Sequence, residues 1–97
     1  MDVRKTKDGS LVFIHDEDVK HTTNGEGLVS ELTLKEIKGL DAGDGEKIPT
    51  LEETLDFLDK KVKVFVELKE TGIEDQVLSI VCKKGLEKNV VIVSFLE

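Results

Sequence analysis

Lys61-Val62-Lys63-Val64-Phe65-Val66-Glu67-Leu68-Lys69 packs β-branched and aromatic residues into nine positions, the composition of a strand. Working forward, Thr71 and Glu74 have the spacing of a capping box, and Ile73, Val77, Ile80 and Val81 then recur on one side of a helix that Gly85 ends. A second strand follows, Val90-Val91-Ile92-Val93-Ser94-Phe95, almost continuously apolar. Working backward, Pro49-Thr50-Leu51-Glu52-Glu53 opens a helix with Thr50 as cap, and Leu51, Leu55 and Leu58 share its face. Helix, strand, helix, strand with short connections predicts a parallel sheet with crossover helices, and the uninterrupted Val/Ile run predicts burial on both sheet faces. A barrel and an open doubly wound sheet both satisfy that pattern.

Upstream, Asp2 to Thr6 and Leu11 to His15 read as the arms of a hairpin around Lys7-Asp8-Gly9-Ser10. Residues 16–27 are polar and contain glycine, which predicts a surface loop. Thr33-Leu34-Lys35-Glu36 is a further capping box, opening a short helix that ends near Gly39-Leu40. Residues 41–47 form a charged loop, and no Pro/Ser-rich linker or internal repeat interrupts the chain.

Ninety-seven residues make one domain at most, and 38% apolar residues with 36% charged ones is an ordinary globular composition. Twenty-one acidic residues against 14 basic ones give a net charge of −7, which disfavours nucleic acid as a partner because phosphate neutralisation needs clustered cations. No apolar run approaches the roughly twenty residues of a membrane span. Cys82 has no second cysteine to pair with and sits in an apolar helical stretch, so a packed thiol in a reducing cytosol is expected. No signal peptide is legible, and cytoplasmic localisation is the expectation.

Charged residues stand at three places where a buried strand favours valine: Asp2, the pair His15-Asp16, and Glu67 with Lys69. Two-residue alternation puts Phe65, Glu67 and Lys69 on one face of their strand. Burying a lone charge there costs several kcal/mol, so the pair needs each other, a metal or an anionic ligand. Carboxyl ends of parallel strands are also where ligands bind in α/β folds. Taken singly, Glu67 and Lys69 equally describe an edge-strand salt bridge, His15-Asp16 the polar end of a hairpin, and Asp2 a surface residue. Glu52-Glu53 and Lys83-Lys84 fit the helix dipole and carry no function.

The order of motifs resembles the glycerophosphodiester phosphodiesterase family. The carriers are Asp2-Val3-Arg4-Lys5-Thr6-Lys7-Asp8-Gly9, the run into His15-Asp16, Thr22-Thr23-Asn24-Gly25-Glu26-Gly27, Ile48-Pro49-Thr50-Leu51-Glu52-Glu53, Glu67-Leu68-Lys69 and Val93-Ser94-Phe95. The resemblance implies an α/β fold that is part of a (β/α)8 TIM-type barrel, about its strands 2 to 4. Residues 1–97 would be one partial domain, with 6–48 an insertion-like region that holds the hairpin and 49–97 the barrel segment.

It further implies that Asp2 and Glu67 hold a divalent cation, Mg²⁺ or Ca²⁺, that His15 is a catalytic acid or base, and that Lys69 binds phosphate. The implied reaction hydrolyses a small-molecule glycerophosphodiester to glycerol 3-phosphate and an alcohol. The family's His-Arg-Gly segment and the first acid of its acidic pair do not occur in these residues, so the chain alone is expected to be inactive. His21 replaces the Arg common in the family and reads as a surface variant. Exposed strand edges raise homo-oligomerisation, and a non-catalytic binding or assembly module on the same scaffold is the alternative function.

Overall fold

The computed structural model of the protein describes residues 2–58, 63–69 and 72–94. Four strands, β1 (Asp2–Lys5), β2 (Leu11–Phe13), β3 (Val64–Leu68) and β4 (Val90–Ser94), form one sheet in the order β2-β1-β3-β4. β1 pairs parallel with β3, and β3 parallel with β4, while β2 returns antiparallel along the outer side of β1. The parallel arrangement and the hairpin both match expectation. Lys61, Val62 and Phe95, assigned above to strands, lie outside the described residues.

Among the described residues three α-helices accompany the sheet: α1 (Leu34–Lys38), α2 (Leu51–Asp56) and α3 (Glu74–Lys83). Both predicted caps on α1 and α2 form, with Glu36 N donating to Thr33 Oγ1 at 3.2 Å and Glu53 N to Thr50 Oγ1 at 3.0 Å. Each acidic partner reaches back to the cap amide, so two otherwise unpaired donors are satisfied per helix. Thr71, proposed to cap the third helix, lies outside the described residues. α3 takes Ile73 as its N-cap, without a side-chain hydrogen bond. Beyond its last turn Gly85 has φ +69°, a conformation that costs a residue with a Cβ.

The core divides across β2. Leu11 joins Val3, Leu51, Leu55, Val66, Leu68, Ile73, Val77 and Val81 in a cluster between the sheet and helices α2 and α3. Val12 points the other way, into a second cluster with Ile14, Val19, Val29, Ile37 and Ile48, which gives the excursion between β2 and α2 its own interior. Hydrogen bonds fix that excursion: Asn24 N donates to Asp41 O at 3.0 Å, and Asp41 N returns the bond to Asn24 Oδ1 at 2.9 Å. Gly25 packs against Leu40, and a Cβ there would stand 2.5 Å from a Leu40 methyl, which would have to shift.

Two expectations fail. The sheet is not buried on both faces: Val66 and Leu68 are fully buried, but Phe65 is 60% exposed and its register partner Val91 38%. Helices α2 and α3 cover one face; on the other, the second cluster covers Val12 of β2, while β3 and β4 stay open at Phe65 and Val91. Cys82 is exposed rather than packed, because the buried stripe of α3 runs through Ile73, Val77 and Val81 and position 82 falls about 100° further round.

Candidate functional site

Along the open face of the sheet the character changes from apolar to charged toward the carboxyl ends of the strands. Phe65 and Val91 lie at one end. Next come Asp2 and Glu67, which are register partners on adjacent parallel strands. Arg4 and Lys69 share the same face by two-residue alternation.

Parallel pairing brings Asp2 and Glu67 side by side and Lys69 between them. Lys69 Nζ lies 3.5 Å from Glu67 Oε2 and 3.9 Å from Asp2 Oδ1, with side chains 25%, 34% and 15% exposed respectively. Asp2 is therefore largely withdrawn from solvent beside Glu67, a neighbour more than sixty residues away in sequence. Two backbone bonds lock the corner, Lys69 N to Val3 O at 3.2 Å and Ile14 N to Asp2 O at 3.0 Å. The second delivers His15 to the same end of the sheet.

His15 is held by backbone and side chain. Arg4 donates from Nε and Nη2 to the His15 carbonyl at 3.2 and 3.0 Å. His15 Nδ1 pairs with Asp16 Oδ1 at 2.8 Å, which leaves Nε2 of a 76% exposed ring for chemistry. Hydrogen bonding from His15, together with the nearby His15, His21 and Arg4, holds the Asp16 carboxyl below its ordinary value. Arg4, His15, Asp16, Asp18, His21 and Lys69 line an open groove of about 480 Å³. Thus Lys69 links the two halves of the site: it meets Asp2 and Glu67 on one side and faces the histidines across the groove.

Sequence reasoning singled out Asp2, His15, Glu67 and Lys69, but not Arg4 as the clamp on His15. The signal existed, since Arg4 stands two residues from Asp2 on one strand and so on its face. His21 is exposed, as expected of a surface residue, yet it borders the groove.

Carboxylates of adjacent strands are hard oxygen donors, suited to Mg²⁺ or Ca²⁺. Mg²⁺ commonly takes one or two carboxylates and completes its shell with water and substrate phosphate, and Asp2 with Glu67 fits that donor set. Among the described residues no three His, Cys, Asp or Glu side chains cluster closely enough to hold a metal by themselves. No helix among the described residues is long and apolar enough to cross a membrane.

Comparison with known proteins gives one consistent result. The model of the Glycerophosphoryl diester phosphodiesterase family matches residues 1–94. A glycerophosphodiester phosphodiesterase of Caldanaerobacter subterraneus subsp. tengcongensis is 45% identical over 98% of this chain, which covers 44% of that protein. A crystal structure of an Agrobacterium tumefaciens glycerophosphodiester phosphodiesterase superposes with a TM-score of 0.92 at 36% identity, covering all of this chain and 44% of that one. An Oleispira antarctica phosphodiesterase, solved in complex with the product sn-glycerol-3-phosphate, gives a TM-score of 0.79 at 30% identity, with 98% and 44% covered. The chain spans less than half the length of each of these relatives.

Proposed function

The chain belongs to the glycerophosphoryl diester phosphodiesterase family, and on that footing we propose that it supplies part of the active site of a metal-dependent hydrolase. The substrate is a glycerophosphodiester, and the products are glycerol 3-phosphate and an alcohol. The observation that carries this reading is the meeting of Asp2, which opens β1, with Glu67 and Lys69 at the carboxyl end of the parallel strand β3, beside the groove that His15 borders. In a (β/α)8 barrel β1, β3 and β4 take the places of strands 2 to 4, residues 6–48 are an insertion, and the Phe65–Val91 face looks inward.

Each residue has a role that its surroundings suit. Asp2 and Glu67 hold a divalent cation, Mg²⁺ or Ca²⁺, which when bound polarises the phosphoryl group and the glycerol hydroxyl. Lys69 binds the phosphate and offsets charge gathering on its non-bridging oxygens. His15, its Nδ1 tied to Asp16, moves a proton at Nε2, either from the attacking oxygen or to the departing alcohol. The phosphorus–oxygen bond to the alcohol breaks, and water supplies the oxygen kept on phosphate and the proton gained by the alcohol. Catalytic groups that act as a unit lose nearly all activity when one is missing, so these 97 residues alone do not turn over. The setting is cytoplasmic.

The test is hydrolysis of glycerophosphocholine with Mg²⁺ or Ca²⁺, by this chain and by a family-length chain that carries it. Activity in the longer chain that falls at least about a hundredfold in His15→Asn and Glu67→Gln supports the assignment. An inert longer chain overturns it and leaves a non-catalytic scaffold. The open face gives that second reading a specific basis, since exposed Phe65 and Val91 invite a second copy. Light scattering after size exclusion distinguishes a dimer from a monomer.

A further inference from the structure

β2 ends at Phe13, and beyond it Ile14 N still donates to Asp2 O at 3.0 Å. His15 comes next, already in the loop, and a side chain takes over the hold on its backbone. Arg4 stands opposite Val12 in the hairpin register, and its side chain reaches past that pair to the His15 carbonyl. Nε and Nη2 both donate to that one oxygen, at 3.2 and 3.0 Å. Such charge-assisted bonds hold a carbonyl more firmly than a neutral donor does, and the planar guanidinium edge supplies two of them together. Asp16 Oδ1 holds the ring of the same residue, 2.8 Å from Nδ1. Arg4 also borders the groove beside Lys69, a place that suits a second phosphate ligand. The Nε–Nη2 edge that would fork a phosphate is, however, already engaged by the His15 carbonyl.

We propose that Arg4 is a positioning residue for His15, fixing the backbone of this loop residue so that Nε2 stands where the proton is transferred. The inference rests on the phosphodiesterase reading, in which His15 moves that proton. The His15 side chain is 76% exposed, so packing does little to hold it. A displacement of about 1 Å at such a group costs on the order of a hundredfold in rate. Arg4 therefore acts on turnover through His15, and phosphate binding is left to Lys69.

The test is a double-mutant cycle on glycerophosphocholine hydrolysis in Mg²⁺, in the family-length chain that carries these residues. Arg4→Gln is expected to lower kcat roughly ten- to hundredfold while KM stays within about twofold. Arg4→Lys, which returns a charged donor without the planar edge, is expected to recover part of that loss. In a His15→Asn background, Arg4→Gln is expected to lower kcat by less than about twofold, because the group it positions is gone. Losses that multiply in the double variant overturn the inference, since Arg4 would then act independently of His15. A KM that rises at unchanged kcat overturns it too, by making Arg4 a phosphate ligand, and so does full activity in Arg4→Gln. In those three outcomes the phosphodiesterase reading stands, whereas an inert wild type removes that reading and the inference with it. Should Arg4→Gln fail to fold by circular dichroism, the cycle runs with Arg4→Lys, whose smaller loss must likewise vanish in His15→Asn. A readout without turnover is the carbonyl ¹³C signal of His15 in the 97-residue chain. It is expected to move in Arg4→Gln while that of Val77, in the core, holds, and an unmoved His15 signal overturns the inference.

Discussion

Asp8 accepts hydrogen bonds from the Thr6 hydroxyl and from the Leu34 amide, so one carboxylate joins the hairpin turn to the first turn of α1. Those donors hold its pKa below the ordinary carboxylate value. Glu36 is lowered chiefly by the Thr33 amide, Glu53 by Lys38 and then the Thr50 amide, and Asp16 by His15. All four shifts have one sign. A carboxyl whose folded pKa is depressed adds stability that is fully present above its unfolded value, near 4, and disappears as the pH falls through the folded value. The urea midpoint should therefore be flat from neutrality to about pH 5 and decline below that. Asp8→Asn should lower the midpoint at pH 7 and make the acid decline shallower. A decline that is identical in both proteins would remove Asp8 from the account. Asp8 was quoted above as part of a turn signal, and its bond to residue 34 could not be read there, because the donor lies twenty-six residues away.

At the scale of elements, the two capping boxes were legible because their partners sit three residues apart and depend on no tertiary contact. Thr50→Ala should cost about 1 kcal/mol, read as a lower denaturant midpoint at unchanged slope. Leu51→Ala, one position on, empties a fully buried site in the cluster between the sheet and α3 and should cost about 2–5 kcal/mol. In a 97-residue domain with a stability of order 5–15 kcal/mol, that loss leaves a large unfolded fraction by circular dichroism. The charges given no function above also act between elements. Lys84 pairs with Asp56 and Glu52, and Lys83 with Glu52, fastening the end of α3 to α2. The apolar composition around Cys82 pointed to a packed thiol, but composition does not give the phase of a helix. Only the position of the sheet under α3 determines which side of it is wet.

For the molecule as a whole, the consequential feature is a sheet whose β3 and β4 are covered on one face and open on the other. Val66 and Phe65 are neighbours in β3 with opposite fates, one fully buried and one 60% exposed. Val66→Ala should therefore cost about 1–3 kcal/mol, whereas Phe65→Thr should stay within about 0.5 kcal/mol in this chain. Urea denaturation of the two variants checks the contrast. Equal losses would mean that the Phe65 face is covered in solution, and size exclusion would then identify a second copy as the cover. In a family-length chain, whose remaining strands would close over that face, Phe65→Thr should become the costly one.

Strand and helix identities and two of the three caps were legible from short-range pattern, because turn chemistry and side-chain periodicity act over three to five residues; helix-strand alternation gave the parallel pairing of β3 and β4, and the family resemblance alone put β1 in line with them. The four residues proposed for the site stood out in the same way, as charges where a strand favours valine. The tertiary structure alone decided that Asp2 lies beside Glu67 of β3, that Arg4 clamps the His15 carbonyl, that His21 borders the groove, and that β3 and β4 are open on one face. Each of these depends on register between strands or on which element lies over which. Coulombic and packing energies between such segments vary with separation in space, and distance along the chain does not encode it.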